Sequence, residues 1–176
     1  QRITDDPSHR LNALDLGGGA LLDLGVYVVS FAQMLLGAPD RVTAAGSTFP
    51  TGADAEAALL LTYDDGRSAT LTTSLRYPTP GQARVFGTGG WIDVLPRFHH
   101  PATIVLHRTG ADPEEITLPP DGTGYSHELA EVTRCLQAGR TESDVMPLAD
   151  TLAVQDVLEQ AAHQLGVHHR EDPHAL

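Results

Sequence analysis

The sequence predicts an α+β fold, a predominantly antiparallel open β-sheet with helices packed on one face. Two observations carry this expectation. The elements are segregated along the chain, with one helix first, then a run of stretches of β character, then two helices; that order suits an α+β layer rather than alternating βαβ units. The connections "DDGR", "TGG" and "RTGADP" are short and rich in Gly, Asp and Pro, as hairpins and meanders require and helical crossovers do not.

Each element has its own signal. Residues 1–16 read as a polar lead-in with a short apolar patch, and the glycines at 17–19 let the backbone turn sharply before a helix. That helix is predicted from about Ala20 to Leu36, stopped by Gly37 with Pro39 just beyond. Strands are read in "RVTAAGSTF", "EAALLLTY", "SATLTTSLRY", "ARVFGT", "WIDVL", "TIVLHRT" and "EEITL". The stretch "YSHELAEVTRCLQAG" places Leu129, Val132 and Leu136 at helical spacing and ends at Gly139, and a final helix runs from about Leu148 to Leu165 before Gly166. The small residues of "LTTSLRY" and its neighbours fall on the second face of the sheet, which is expected to be solvated or an interface. One domain is expected over 17–168, with 1–16 leading into it and 169–176 a solvated, flexible tail.

Composition narrows the function. A chain of 176 residues with 41% hydrophobic content can bury a core. The net charge of −12 repels nucleic acid and anionic lipid, and the basic residues are scattered, so neither a nucleic acid nor a membrane is an expected partner. The most apolar segment carries Asp23, Ser30 and Gln33 and is not read as a span. The one cysteine, Cys135, excludes an intrachain disulfide framework and reads as a buried thiol, which fits a cytoplasmic protein. All 11 basic residues are arginine. Chemistry that needs a lysine therefore has to come from outside this chain.

The first helix holds the chemistry. At 100° per residue Asp23, Tyr27, Ser30 and Met34 share one stripe, while the rest of the circumference is nearly all Leu, Val, Ala and Phe. A carboxylate and a phenol on a helix buried all round need a hydrogen-bonding partner or a ligand. Two accounts stand on spacing alone. Asp23 sits in the first turn, where the helix dipole favours an acid, and Tyr27 packs its ring while its hydroxyl reaches water; or both groups serve a substrate.

The string "GGGALLDLGVY" resembles the opening of the C-terminal, substrate-side domain of the Gfo/Idh/MocA oxidoreductase family, whose members carry Gly-Gly-x-x-x-x-Asp-x-Gly-x-His or Tyr on a long helix facing the nicotinamide. The tyrosine form is similar to the glucose-fructose oxidoreductase and dihydrodiol dehydrogenase branch. "VFGTGGWIDV", "GYSHELAEVTRCLQAG" and "ESDVMPLADTLAVQDVLEQAAHQLGV" resemble the family's glycine turn, next helix and closing segment in that order. The resemblance covers roughly residues 10–168 and implies a sheet of the glyceraldehyde-3-phosphate dehydrogenase-like C-terminal type. It implies Tyr27 as acid/base and Asp23 as a hydrogen-bonding neighbour, acting on a sugar, polyol or related hydroxy compound. It also implies NAD or NADP as cofactor, held mainly by an N-terminal Rossmann domain whose Glu-Lys-Pro lysine works beside the tyrosine. Neither "GGGALLDLG" nor "GTGGWID" fits G-x-G-x-x-G, so no cofactor-binding residue is assigned in this chain and the chain alone is expected to be inactive. A homodimer through the open sheet face is implied as well. The alternative is a stand-alone binding or dimerisation module of the same fold.

Other features rank lower. Arg97, Phe98 and His99 follow a strand and are candidates for a substrate-pocket mouth, although a surface connection explains them equally. The histidine pairs at 99–100 and 168–169 lack the spacing of a metal site, so no metal is expected. "GTGG" lies between two strands and reads as a hairpin turn, and Trp91 reads as sheet packing.

Overall fold

The computed structural model describes residues 6–122 and 124–169. The fold is α+β, and every strand pairing is antiparallel. The chain forms two compact units: the part through Thr79 together with the part from Leu148 on, and Pro80–Pro147. The strands are correspondingly shared between a three-stranded and a four-stranded sheet.

The first unit holds β1 (Arg41–Thr48), β2 (Asp54–Thr62) and β3 (Ser68–Ser74) in that order across the sheet. In β2, Ala57, Leu59 and Leu61 are buried while Ala58 and Leu60 are exposed, the period-two pattern of a sheet covered on one face. The cover is α1 (Val26–Leu36) and a later helix, Leu148–Gln164. Val29 and Ala32 of the first, with Val157, Leu158 and Ala161 of the second, close the core over the sheet. The ends of these elements are satisfied by specific side chains. Gln164 bonds the backbone of the edge strand β1 twice, accepting from Ala44 N–H at 2.8 Å and donating to Val42 O at 3.0 Å, so part of that edge is closed to other strands. At the C-terminal end of α1 the Arg67 guanidinium donates to Leu36 O at 3.1 Å, a cation where the helix dipole favours one.

The stretch Leu14–Leu36 meets the length and hydropathy of a membrane span, with mean hydropathy 1.7, which the sequence reading discounts. Its geometry is that of a core element: two 3-10 turns (Arg10–Asn12 precedes, Leu14–Leu16 belongs to it), a glycine bend, and a helix whose Leu21, Val29 and Ala32 are buried in the sheet-and-helix core.

The second unit holds β4 (Ala83–Gly87), β5 (Gly90–Val94), β6 (Thr103–Arg108) and β7 (Glu114–Thr117), paired in sequence order. β4 and β5 form a hairpin closed at Gly87 and Gly90, so "GTGG" is a two-residue turn. Its helix, α2 (Ser126–Gln137), buries Cys135 and leaves Leu129, Val132 and Leu136 exposed. The helix from Leu148 to Gln164 is α3. Trp91 packs on the sheet as expected: partly exposed, it stacks on His107, its partner on β6, with ring centroids 4.4 Å apart, and donates to Asp93 Oδ2 at 3.3 Å.

Candidate active site

The predicted helix begins differently from an ideal one. Leu21–Gly25 form a π turn, and only from Val26 is the helix α. A π turn adds a residue to the turn, and such insertions in helices concentrate at functional sites; here it contains Asp23, ends two residues before Tyr27, and changes the helical projection that relates the two side chains. Gly25 permits it locally. A Cβ at Gly25 would already stand 3.4 Å from Leu158 of α3 and from Leu21, so the widened turn packs directly on the neighbouring helix.

The helix is not buried all round, contrary to expectation. Its core face is Leu21, Val29 and Ala32, while Tyr27 is 46% exposed and Met34 lies open as well. The phenol therefore sits on the half-exposed flank of an otherwise embedded element. Asp23 is only 28% exposed and accepts a hydrogen bond from the Arg10 guanidinium, Nη2 to Oδ1 at 3.3 Å. The structure thus supplies Asp23 with a cation that the sequence did not reveal. Arg10 is thirteen positions upstream in a 3-10 turn, and no helical spacing connects the two.

The glycine triplet has two clear structural roles. Gly18 donates to Ala13 O at 2.9 Å, and a Cβ there would lie 2.7 Å from the carbonyl oxygens of Ala13 and Arg10. Gly19, at φ 130°, stands against the carboxylate of Asp54, where any side chain would collide. Asp54, at the start of β2, is fully buried, and its Oδ2 accepts from Leu21 N–H at 2.6 Å. Burial pushes its carboxyl above the ordinary carboxylate range, opposed by the Leu21 N–H and by the nearby His169. Asp54 was missed in the sequence because an acid opening a strand, 33 residues from the amide it accepts from, leaves no local signature.

The lower-ranked residues fall in the other unit. Arg97 adopts φ 68°, and Phe98 N–H donates to Gly81 O at 2.9 Å, which ties the loop after β5 to the segment that leads into β4. Phe98 and His99 meet edge to face with centroids 5.6 Å apart. Burial, reinforced by the charges of His100 and Arg97, holds the His99 imidazole below its usual range. The structure therefore joins Asp23 to Arg10 and sets Tyr27 on the same helical segment, while Arg97, Phe98 and His99 belong to the second unit. Among the described residues no group of three or more His, Cys, Asp or Glu side chains is placed to hold a metal.

The model of the GFO/IDH/MocA C-terminal domain matches residues 1–93. The chain is similar to trans-1,2-dihydrobenzene-1,2-diol dehydrogenase of Xenopus tropicalis, 38% identical over 160 residues that make up 87% of this chain and 48% of that protein. The enzyme of the same name from Bos taurus is 31% identical over 94% of this chain and 52% of its own length. The chain thus spans about half the length of the curated relatives it matches. Among solved structures, aldose-aldose oxidoreductase from Caulobacter crescentus complexed with glycerol superposes with TM-score 0.77 at 25% identity, over 94% of this chain and 50% of that one. A 3-ketoreductase from Actinomadura kijaniata in complex with TDP-benzene and NADP shares the fold, with TM-score 0.68 at 22% identity over 84% of this chain and 48% of that one.

Proposed function

The chain belongs to the Gfo/Idh/MocA family, and from that premise we propose that it is the substrate-side domain of an NAD(P)-dependent oxidoreductase acting on a sugar, polyol or diol. The observation that carries this is Tyr27, a phenol held on the open flank of a core helix, one turn beyond the Asp23–Arg10 pair.

The nicotinamide, when bound, accepts or supplies the hydride. Tyr27 takes the proton from the substrate hydroxyl as the adjacent carbon is oxidised, and returns it in reduction. For a phenol to do this near neutral pH a cation must stand by it, and in this reading a lysine from another domain of the protein supplies it. Asp23, held by Arg10, accepts a hydrogen bond from a second substrate hydroxyl and fixes its orientation. The residues present suit the reacting end of the cofactor and not its phosphates. The glycine-led start at Leu21 is filled by the Asp54 carboxylate, and the "GTGG" glycines close a hairpin without a helix behind them, so neither offers the free amides of a phosphate cradle. The phosphates are therefore assigned to a separate dinucleotide-binding domain.

The open face of the first sheet, where Leu60 stands between Thr43 and Thr70, is assigned to a homodimer contact. A cytoplasmic location accords with the single buried thiol, Cys135.

Replacing Tyr27 by Phe in the complete protein tests the central assignment. Loss of a general acid/base is expected to lower turnover by ~10²- to 10⁴-fold with the melting temperature nearly unchanged. Retention of more than about half the activity, with hydride transfer shown to limit the rate, overturns the role of Tyr27.

A further inference from the structure

The mechanism above leaves Asp54 unused, although it is among the most completely buried side chains described. Burying a carboxylate is expensive, so its surroundings point to what it does. It lies at the start of β2, yet its Oδ2 accepts from the N–H of Leu21, the first residue of the π turn, at 2.6 Å. Gly19 presses on Oδ1 from the same segment. From the next strand, Thr73 Oγ1 donates to Ala20 O at 3.3 Å, also buried. A helix start is ordinarily closed by a neighbouring Ser, Thr, Asp or Asn; here Ala20 contributes no side-chain cap, and two strands of the sheet grip residues 19–21 instead.

We propose that Asp54 is a positioning residue for Tyr27: by fixing the backbone at Leu21 it sets the register of the π turn and so the place of the phenol six residues on. The proposal rests on the reading of Tyr27 as the acid/base. A local cap would stabilise the helix equally well, but only an anchor in the sheet ties the phenol's position to the rigid core of the unit. Displacing a reacting group by an ångström costs up to ~10²-fold in rate, so the position of this turn matters to turnover more than its stability does.

The test is a mutant cycle in the complete protein with its nicotinamide cofactor, combining Asp54→Ala with Tyr27→Phe. Asp54→Ala is expected to lower kcat by ~10- to 10²-fold with KM nearly unchanged, and Asp54→Asn, which keeps an acceptor for Leu21 N–H, to recover much of that loss. In the Tyr27→Phe background Asp54→Ala should cost less than about twofold more, because the group it positions is gone. An equal fold-loss in both backgrounds, or an unchanged kcat in the folded single variant, overturns the proposal. Should Asp54→Ala fail to fold, Thr73→Val, which releases the same segment from the other strand, takes its place in the cycle with the same two outcomes. Amide hydrogen exchange of residues 20–27 in Asp54→Ala, or in Thr73→Val where that variant does not fold, separates the two levels of inference. If Tyr27→Phe proves fully active, the acid/base reading fails, and faster exchange still upholds Asp54 as the anchor of the turn while unchanged exchange removes it.

Discussion

The two units are built on opposite terms. In the first, a three-stranded sheet is covered by α1 and α3, and Leu21, Val29, Leu59, Leu61, Val157 and Leu158 make a continuous apolar core. In the second, Val94 and Cys135 are the buried hydrophobics among the described residues, and much of the visible organisation is polar. On its sheet, Asp93 receives Arg84, His107 and Trp91; on α2, Glu131 receives Arg134, Ser143 and Cys135. Burial of a large aliphatic side chain is worth ~1.5–3 kcal/mol, whereas an exposed ion pair is worth ~0–1 kcal/mol. The candidate acid/base is therefore mounted on the unit with the larger apolar core, and the second unit is expected to be the less stable of the two.

The sharpest way to break this contrast is to truncate the core. Leu61→Ala is expected to destabilise the first unit by ~2–5 kcal/mol in denaturant unfolding. A cost below about 1 kcal/mol would mean that the sheet is not the stability centre described here.

Asp23→Asn sharpens the view of the helix as both core and site. With Arg10 as its exposed partner, loss of the charge should leave the melting temperature in place and reduce turnover by about tenfold, equivalent to ~1.4 kcal/mol of transition-state stabilisation. A fall in melting temperature without a kinetic effect would make the Asp23–Arg10 pair structural.

The second unit should show its polar character in its pH response. The Ser143 hydroxyl, at 2.5 Å, and then the Arg134 guanidinium lower the Glu131 carboxyl to about 2, against an ordinary value of 4.5. A depressed carboxyl stabilises the folded state above its unfolded value, and that contribution is lost as pH falls from about 4.5 toward about 2. An NMR titration is expected to place the Glu131 midpoint near the lower value, and Glu131→Gln to remove the corresponding acid sensitivity of α2. A midpoint at the ordinary carboxylate value would show that the Ser143–Glu131–Arg134 cluster does not form.

The smallest effect belongs to the exposed sheet face. Phe86, 74% exposed, is expected to tolerate replacement by Ala within ~0.5 kcal/mol of stability. A larger loss in calorimetry would reveal packing on that face and weaken the division between the units.

What the sequence determined by itself is what short-range physics encodes. The β character of "EAALLLTY" marked β2, glycines marked the ends of α1, α2 and α3, and the Gly-bounded turns marked antiparallel pairing, while the covered face of β2 came from the structure. The Asp23–Tyr27 motif was legible because both residues sit on one helix, four positions apart. Only the tertiary structure decided the rest. The division of the strands into two sheets depends on which strands pair, the Arg10–Asp23 ion pair bridges a bend, and the Asp54 cap crosses 33 residues. The π turn is likewise the outcome of packing: Gly25 against Leu158 and Leu21 held by Asp54 come from parts of the chain that meet only when the sheet and α3 are in place. Local periodicity records which face a residue takes; it carries no record of which distant group will stand opposite, because that is fixed by chain closure and burial rather than by neighbours in sequence.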